Sequence, residues 1–322
     1  MSEEEVESLH NQGIGSRPPI LTPIGNKFIN ESQLLTFEVS ATDSDGDILT
    51  YSTSTLPDGA TFDAVSGTFD WTPTAGQAGE YFITFTVSDG DFTDNETITI
   101  TVNPYFYNSL AGHWKLDDNS DNKIVADSSG NGNNGTAQHN TSALHTIGQI
   151  DGAFTFNGTS DYIDCGSEDI FQERSVLTIS AWINGSDYTK PYNMIVCGDQ
   201  GNLDFSWGLR VDNGIVKFFV RANGYKVATG NSLSTGQWYH VVGVWDRNGG
   251  ANNLKIYVDG QLKGQTTVNE DMDASTVSVC IGRVYFPRIN QYFNGLIDDI
   301  MAFDEALSAD EIQALYNEGI GI

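Results

Sequence analysis

Apolar and polar residues alternate at period two along most of this chain. LLTFEVSA, ILTYSTS, EYFITFTVS and TITITV do so early on. TISAWIN, FSWGLRV, GIVKFFVRAN, WYHVVGVWD, NLKIYVDGQ, VSVCIGR and GLIDDIMAF do so later. That period sends successive side chains to opposite sides of an extended backbone, so each stretch predicts a β-strand with one buried face. DSDGD, PDGA and SDGD punctuate the early stretches, which predicts a sandwich of roughly seven strands over residues 19–103. One helix is predicted: Ser308 to Glu311 form a capping box, EIQALY follows, and Gly319 marks a stop. The fold class is all-β with one short C-terminal helix.

The pattern divides the chain into four parts. Residues 1–18 are an acidic N-terminal arm, expected to be mobile unless something such as a neighbouring subunit holds it. Residues 19–103 are the first domain. PYFYNS, residues 104–109, is too short and too aromatic for a floppy linker, so Tyr105, Phe106 and Tyr107 are expected to pack. Residues 110–322 are the second domain.

Charge then narrows the partners. The net charge of −28 comes from 43 acidic and 15 basic residues, so phosphate backbones and anionic membrane surfaces are disfavoured. No run of about 18 apolar residues exists, and membrane insertion is not expected. MSEEEVESLH lacks the basic and apolar regions of a secretory signal, so residue 1 is read as a processed or artificial start. The three cysteines, Cys165, Cys197 and Cys280, have no zinc spacing; Cys165–Cys280 is the candidate bridge if their strands are neighbours.

Oxygen-bearing side chains crowd His113–Gly166, among them Asp117, Asp118, Asp121, Asp127, Asn131, Asn133, Asn134, Asp161 and Asp164. Glycines between them let the backbone bend. Such a loop suits a hard cation, and the same residues are also ordinary turn formers. The pattern leaves both readings open.

The pieces TDSDGD, LPDGATFD, GTFDWTPT and FTVSDG within residues 19–103 resemble the cadherin-like, immunoglobulin-like domains found in tandem in large prokaryotic surface proteins. The resemblance implies an extracellular spacer or adhesion module, often with calcium at its poles. In such a sandwich the loop with Asp43, Asp45 and Asp47 lies at the same end as the loop with Asp89 and Asp91. This segment has 13 acidic residues and one basic residue, Lys27. Five converging carboxylates with so little counter-charge favour a shared calcium ion.

A second resemblance covers residues 110–322. GHWKLDD, DSSGNGNNGT, GAFTFNGTSDYIDCG, LTISAWIN, GQWYHVVGVWD, LKIYVDGQLKG and FNGLIDDIMAFDEALSADEIQALY together resemble the laminin-G-like, concanavalin-type jelly roll. The resemblance implies two antiparallel sheets, with the first strand beside the last, so that Trp114–Asp118 would lie by Leu296–Asp299. It implies a ligand-binding module for glycan or protein, and often calcium. By position the metal would fall to Asp118, Asp127, Asn131 and Asp298, with Asp164 in reserve.

Catalysis is not expected. Glycosidases on this scaffold need two carboxylates facing across a cleft, and no E-x-D-x-x-E-like run is present. Asp298 and Asp299 are adjacent, so strand alternation sends them to opposite faces. The expected recognition surface is a strand face and its rim. If Val216, Phe218 and Val220 face inward, then Lys217, Phe219 and Arg221 face outward, and Arg210 joins them. The stripe Arg210–Lys217–Arg221 suits an anionic polysaccharide, unless each base simply pairs with a nearby Asp. Tyr188, Tyr192, Tyr285 and Arg288 lie in long loops and are candidates for a sugar-stacking platform. Of six N-x-S/T sequons, Asn134 and Asn140 are the leading glycosylation sites in a host that modifies its exterior. These features point to a calcium-stabilised adhesion or recognition module at the cell surface or outside the cell, binding glycan or a matrix ligand. The alternatives are a structural subunit of a filament, sheath or surface layer, built by head-to-tail contacts, and a targeting appendage of a polysaccharide-degrading enzyme.

Overall fold

The computed structural model describes residue 2 and residues 17–74, 76–166, 175–199, 205–273, 278–286 and 289–320. The N-terminal arm lies outside the described residues except for residues 2, 17 and 18. The chain forms two compact units, Met1–Asn108 and Ser109–Ile322.

The first unit contains β1 (Ile20–Leu21), β2 (Lys27–Asn30), β3 (Leu35–Glu38), β4 (Ala41–Thr42), β5 (Thr50–Thr53), β6 (Thr61–Asp63), β7 (Thr68–Trp71), β8 (Gly79–Ser88) and β9 (Thr93–Asn103). One sheet has the order β2-β9-β8-β5, a second β3-β7-β6, and β1 pairs with β4. The period-two pattern sets the core. Ile83, Phe85 and Val87 alternate inward from β8, and Ile98, Ile100 and Val102 do so from β9. They meet Phe69 and Trp71 of β7, with Phe69 edge-on to Phe85 at 5.9 Å. The parallel pairing of β2 with β9 lays the entering strand beside the last. PYFYNS forms a 3-10 turn over Tyr105–Ser109, in which Phe106 is buried and stacks on Tyr107 at 5.0 Å.

The second unit begins with β10 (Leu110–Trp114), β11 (Ile124–Val125), β12 (Gly135–Ala137), the single turn α1 (Thr141–Leu144), β13 (His145–Ile147), β14 (Gly152–Asn157) and β15 (Ile163–Asp164). It continues with β16 (Val176–Gly185), β17 (Asn193–Asp199), β18 (Phe205–Asp212), β19 (Ile215–Arg221), β20 (Tyr225–Ser232), β21 (Tyr239–Asp246), β22 (Leu254–Val258) and β23 (Gln261–Thr266). It ends with β24 (Ser278–Ile281), β25 (Arg283–Phe286), β26 (Ile289–Tyr292), β27 (Asn294–Phe303) and α2 (Ala309–Ile320). Two antiparallel eight-stranded sheets form a sandwich. The first has the order β13-β14-β27-β16-β21-β22-β23, with β10 also on β27, and the second β11-β12-β15-β24-β17-β18-β19-β20. Ile179, Ala181 and Ile183 of β16 face Trp207, Leu209, Phe218 and Val220 across one apolar core. The fit is close at Gly243, where an added Cβ would lie 2.2 Å from the Phe218 ring.

The first strand does pair with the last, in a different register from the expected one. Trp114 lies opposite Ile300 and Leu110 opposite Phe303, while Leu296 pairs with Thr155 of β14. Thus β14 and β10 share one edge of β27, end to end. Between them β27 bulges: the register to β16 shifts between Ser180–Met301 and Trp182–Asp298, and Asp299 has φ 46°. The bulge breaks the alternation expected at Asp298 and Asp299. The capping box forms as expected, with Ser308 N donating to Glu311 Oε2 at 2.7 Å and Glu311 N to Ser308 Oγ at 3.3 Å. The three cysteines are buried and form no disulfide with one another. Cys165 faces the sandwich core and Cys280 the opposite side of the sheet, so the Cys165–Cys280 bridge does not form; Cys280 lies directly opposite Cys197.

Candidate functional site

In the first unit, the DSDGD loop closes around one carboxylate. Asp43 Oδ1 accepts the N–H groups of Asp45, Gly46 and Asp47 at 2.8, 2.9 and 3.2 Å. Gly46, at φ 81°, allows the turn. Carboxylate oxygens of Asp43, Asp45 and Asp47 then lie within 4.8 Å of one another. Asp45 Oδ2 also accepts the Arg17 N–H at 2.7 Å, which ties the loop to the point where the chain enters. Three acids at this spacing form an oxygen-rich donor set that fits a hard cation such as calcium. Asp89 shapes its own loop in the same way, accepting the N–H groups of Asp91 and Phe92 at 2.8 and 2.6 Å. Its Oδ2 is buried without a hydrogen-bond partner. Among the described residues neither Asp89 nor Asp91 joins the three-carboxylate group.

In the second unit, the expected ligands Asp118, Asp127, Asn131 and Asp298 are not brought together. Among the described residues no group of three metal-binding side chains includes these acids. Asp127 knots its loop onto β10, accepting N–H groups from His113, Ser129 and Asn133 at 2.9, 2.9 and 2.8 Å. Burial opposes ionisation of Asp127, but these donors outweigh it and hold the carboxyl below its ordinary range. Asn131 donates to Leu110 O at 2.9 Å, and Asp118 accepts from Ala126 N at 3.2 Å. The oxygen-rich stretch therefore serves largely as turn chemistry for the start of the sandwich. Asp298 sits elsewhere, fully buried beneath the β13–β14 turn, where Oδ2 accepts Gln149 N at 2.7 Å and Ile150 N at 2.9 Å. Its Oδ1 has no partner. Burial, with the charges of Asp299 and Asp117, pushes its pKa up to about 8 despite those two donors.

The basic stripe is present and in register, with Arg210 opposite Lys217. Each base is already engaged. Arg210 Nη2 and Lys217 Nζ meet Asp212 Oδ2 at 2.9 and 3.2 Å, and Arg221 Nε meets Asp273 Oδ2 at 3.1 Å. The Arg210 guanidinium also lies between the rings of Tyr192 and Phe219, 4.7 and 4.9 Å from their centroids. The stripe is therefore ion-paired, and Tyr192 is committed to Arg210. Tyr188 cannot stack a sugar: it is 4% exposed, packs in the core and accepts the Gly185 N–H at 2.9 Å. Arg288 lies outside the described residues, and Tyr285 belongs to β25.

What is open on this sheet follows from its cross-strand rows. One outward row runs Ile124–Thr136–Asp164–Cys280–Cys197–Gly208–Phe219–Val227. Cys280, Cys197 and Phe219 are buried although they face away from the core. The hairpin β25–β26 lies against β17 here, and Cys197 Sγ reaches Arg283 O at 3.6 Å. Among the described residues, nothing covers the β11–β12–β15 end. There Asn134, Thr136, Gln138, Tyr162, Asp164 and Gly166 line a depression of about 370 Å³. Ile124, opposite Thr136, stands 58% exposed beside it. Arg283 covers one face of Tyr162, with Cζ 3.6 Å from the ring centroid. Thr136, Gln138 and Tyr162 were not expected as site residues. Their signal is the outward half of the alternation in GTAQ and DYIDCG, whose inward half is Gly135, Ala137, Ile163 and Cys165.

Two family models match the chain in tandem, "Putative Ig domain" over residues 18–103 and "Concanavalin A-like lectin/glucanases superfamily" over residues 157–313. The chain joins an Ig-type domain to a concanavalin A-like domain. The sandwich of the latter begins upstream of the matched residues, at β10. Domain 4 of an extracellular arabinanase from Geobacillus stearothermophilus, solved with arabinotriose, is similar at 22% identity and TM-score 0.51, covering 65% of this chain and 98% of that one. The binding domain of botulinum neurotoxin DC, solved with rat synaptotagmin II, is similar at 16% identity and TM-score 0.51, covering 66% of this chain and 52% of that one. At these identities the likeness is one of fold. The human adhesion G-protein coupled receptor D1 is 30% identical over 111 residues, 34% of this chain; the matched stretch spans 12% of the receptor.

Among the described residues, the concanavalin A-like domain holds a pair with the look of a nucleophile and its base. Ser180 Oγ lies 2.7 Å from His240 Nε2. Both are buried, and Tyr316 of α2 stacks on Trp182 at 5.7 Å beside them, so no substrate reaches the hydroxyl. Burial lowers the His240 pKa to about 4, against the attraction of Asp299. The two sequons differ in setting. Asn134 is exposed at the edge of the depression, with Oδ1 accepting Asp127 N–H at 2.8 Å. The Asn140 amide donates to Asp121 Oδ1 at 2.5 Å.

Proposed function

We propose that this chain is a non-catalytic recognition module displayed outside the cell, and that its concanavalin A-like domain binds glycan in the depression on the β11–β12–β15 end of the second sheet. The observation that carries this reading is the half-covered sheet face. Its covered end is apolar and ion-paired, whereas its open end offers hydroxyl, amide and carboxylate groups beside Ile124 and Tyr162. Sugars present that mixture in complement: hydroxyls for hydrogen bonds and C–H faces for apolar contact. Loops and uncovered strand ends on a rigid sandwich are suited to this task. The arabinotriose bound by the arabinanase domain and the adhesive role in the receptor's name support the reading.

In the Ig-type domain, Asp43, Asp45 and Asp47 would hold calcium. The ion would neutralise three crowded carboxylates and stiffen the loop at that pole. Its role there is stability rather than ligand contact.

The test is a glycan array probed with the intact chain, with calcium and with chelator, while particle size is recorded by light scattering. Saturable binding to at least one glycan is expected, lost on Tyr162→Ala and retained on Arg221→Ala. No binding, together with growth of particle size with concentration, would instead identify a self-assembling structural subunit.

A further inference from the structure

The charge pattern around the depression goes further than the glycan reading, on which the following inference rests. Asp164 is the charged residue among the six that line the depression, and it is exposed. Its Oδ1 accepts the Gly166 N–H at 3.0 Å. Among the described residues, the cations at the far end of the same sheet are spoken for: Arg210 and Lys217 by Asp212, Arg221 by Asp273 and Lys226 by Glu270. Lys123, exposed beside Ile124, stands next to the depression but is not among its lining residues. Arg283 is flattened on Tyr162. The chain as a whole carries −28. Within the described lining an anionic ligand would therefore meet a carboxylate and no cation.

We infer that the depression selects uncharged, hydroxyl-rich sugars and rejects their carboxylated or sulfated counterparts. Sugar hydroxyls donate to Asp164 and to the amide oxygens of Asn134 and Gln138, and they accept from the Thr136 hydroxyl. The C–H face of a sugar ring rests on Ile124 and the free part of Tyr162. A ligand carboxylate within a few ångströms of Asp164 would weaken binding by about tenfold at moderate salt. This reverses the preference for anionic polysaccharide expected from Arg210, Lys217 and Arg221, because those side chains are already paired.

The experiment uses the intact chain on an array that prints neutral oligosaccharides beside the same sugars bearing a uronate or a sulfate. Titration calorimetry follows on the best neutral ligand and its charged counterpart. The charged member should bind at least about tenfold more weakly. In the unmodified protein, raising salt from about 0.05 to 0.5 M should narrow that gap, since screening shortens the reach of Asp164. Asp164→Asn, which keeps an acceptor for Gly166, should narrow it to about threefold, with the melting temperature checked alongside. Equal or tighter binding of the charged member, or a gap that neither salt nor D164N changes, overturns the selectivity and leaves the glycan reading standing. A correctly melting protein that binds no glycan overturns both.

Discussion

At the scale of single residues, two buried titratable groups act on stability with opposite sign. The folded pKa of His240 is about 4, below its ordinary 6.5, because burial penalises the imidazolium. Between those values the unfolded chain binds the extra proton, so stability falls as pH drops from 6.5 to 4, by roughly 3 kcal/mol at most. Asp298 is the reverse case. Its folded pKa of about 8 lies far above the ordinary 3.8, so the folded state keeps a proton that the unfolded chain releases. Its contribution is fully present below about pH 4 and is lost as pH rises through 8. The two are separable by substitution. Urea unfolding of His240→Asn should lose less stability between pH 7 and 4.5 than the parent protein does. Asp298→Asn, which keeps an oxygen for the Gln149 and Ile150 N–H groups but never ionises, should lose less between pH 6 and 9. A D298N profile parallel to the parent over that range would mean that Asp298 titrates normally in the folded protein.

At the scale of elements, the close approach of β21 to β19 at Gly243 makes a sharp prediction. Gly243→Ala drives a methyl group into the Phe218 ring and should cost about 2 kcal/mol, read as a lower urea midpoint. The cysteines test strand orientation. Cys165, Cys197 and Cys280 are all buried, so a thiol reagent should modify none in the native protein and three in denaturant; a count of one would reveal a Cys197–Cys280 bridge across β17 and β24. Alternation, turn residues and the capping box were legible in the chain because each is local: Ile83, Phe85 and Val87 announce β8, and Ser308 and Glu311 announce α2. The site was less legible because it depends on what covers what. Tyr188 in a polar loop and Arg210 on a strand both look available until the core, Asp212 and the β25–β26 hairpin are in place. Asp298 stands on β27 and Asp127 in the β11–β12 loop, and no spacing in the chain says that β27 changes partners from β14 to β10 at Asp298. Thr136 becomes part of a site only because the hairpin reaches no farther than Tyr162, one face of which Arg283 covers.

At the scale of the whole molecule, the excess of acid has to be reconciled with stability, and the two units do so differently. In the concanavalin A-like domain the acids are spent locally, on Arg210, Lys217 and Arg221 and on N–H groups in turns. The Ig-type domain, with 13 acids to one base over residues 19–103, lacks that remedy, and Asp43, Asp45 and Asp47 remain close together. If calcium relieves that crowding, its effect must be local and specific. Two melting transitions are expected from two compact units, and chelator should lower one of them. A calcium concentration 100 times the dissociation constant adds about 2.7 kcal/mol to the unit that binds it. Sodium chloride at matched ionic strength should recover only part of that gain, because screening weakens repulsion without supplying a shared ligand. Asp45→Asn with Asp47→Asn should raise the chelated midpoint, by removing repulsion, and abolish the response to calcium. That pairing separates a binding site from a charged tip: a merely charged tip would show the first change and would never have shown the second response. The variant should leave glycan binding unaltered, since Asp164 and Tyr162 belong to the other unit.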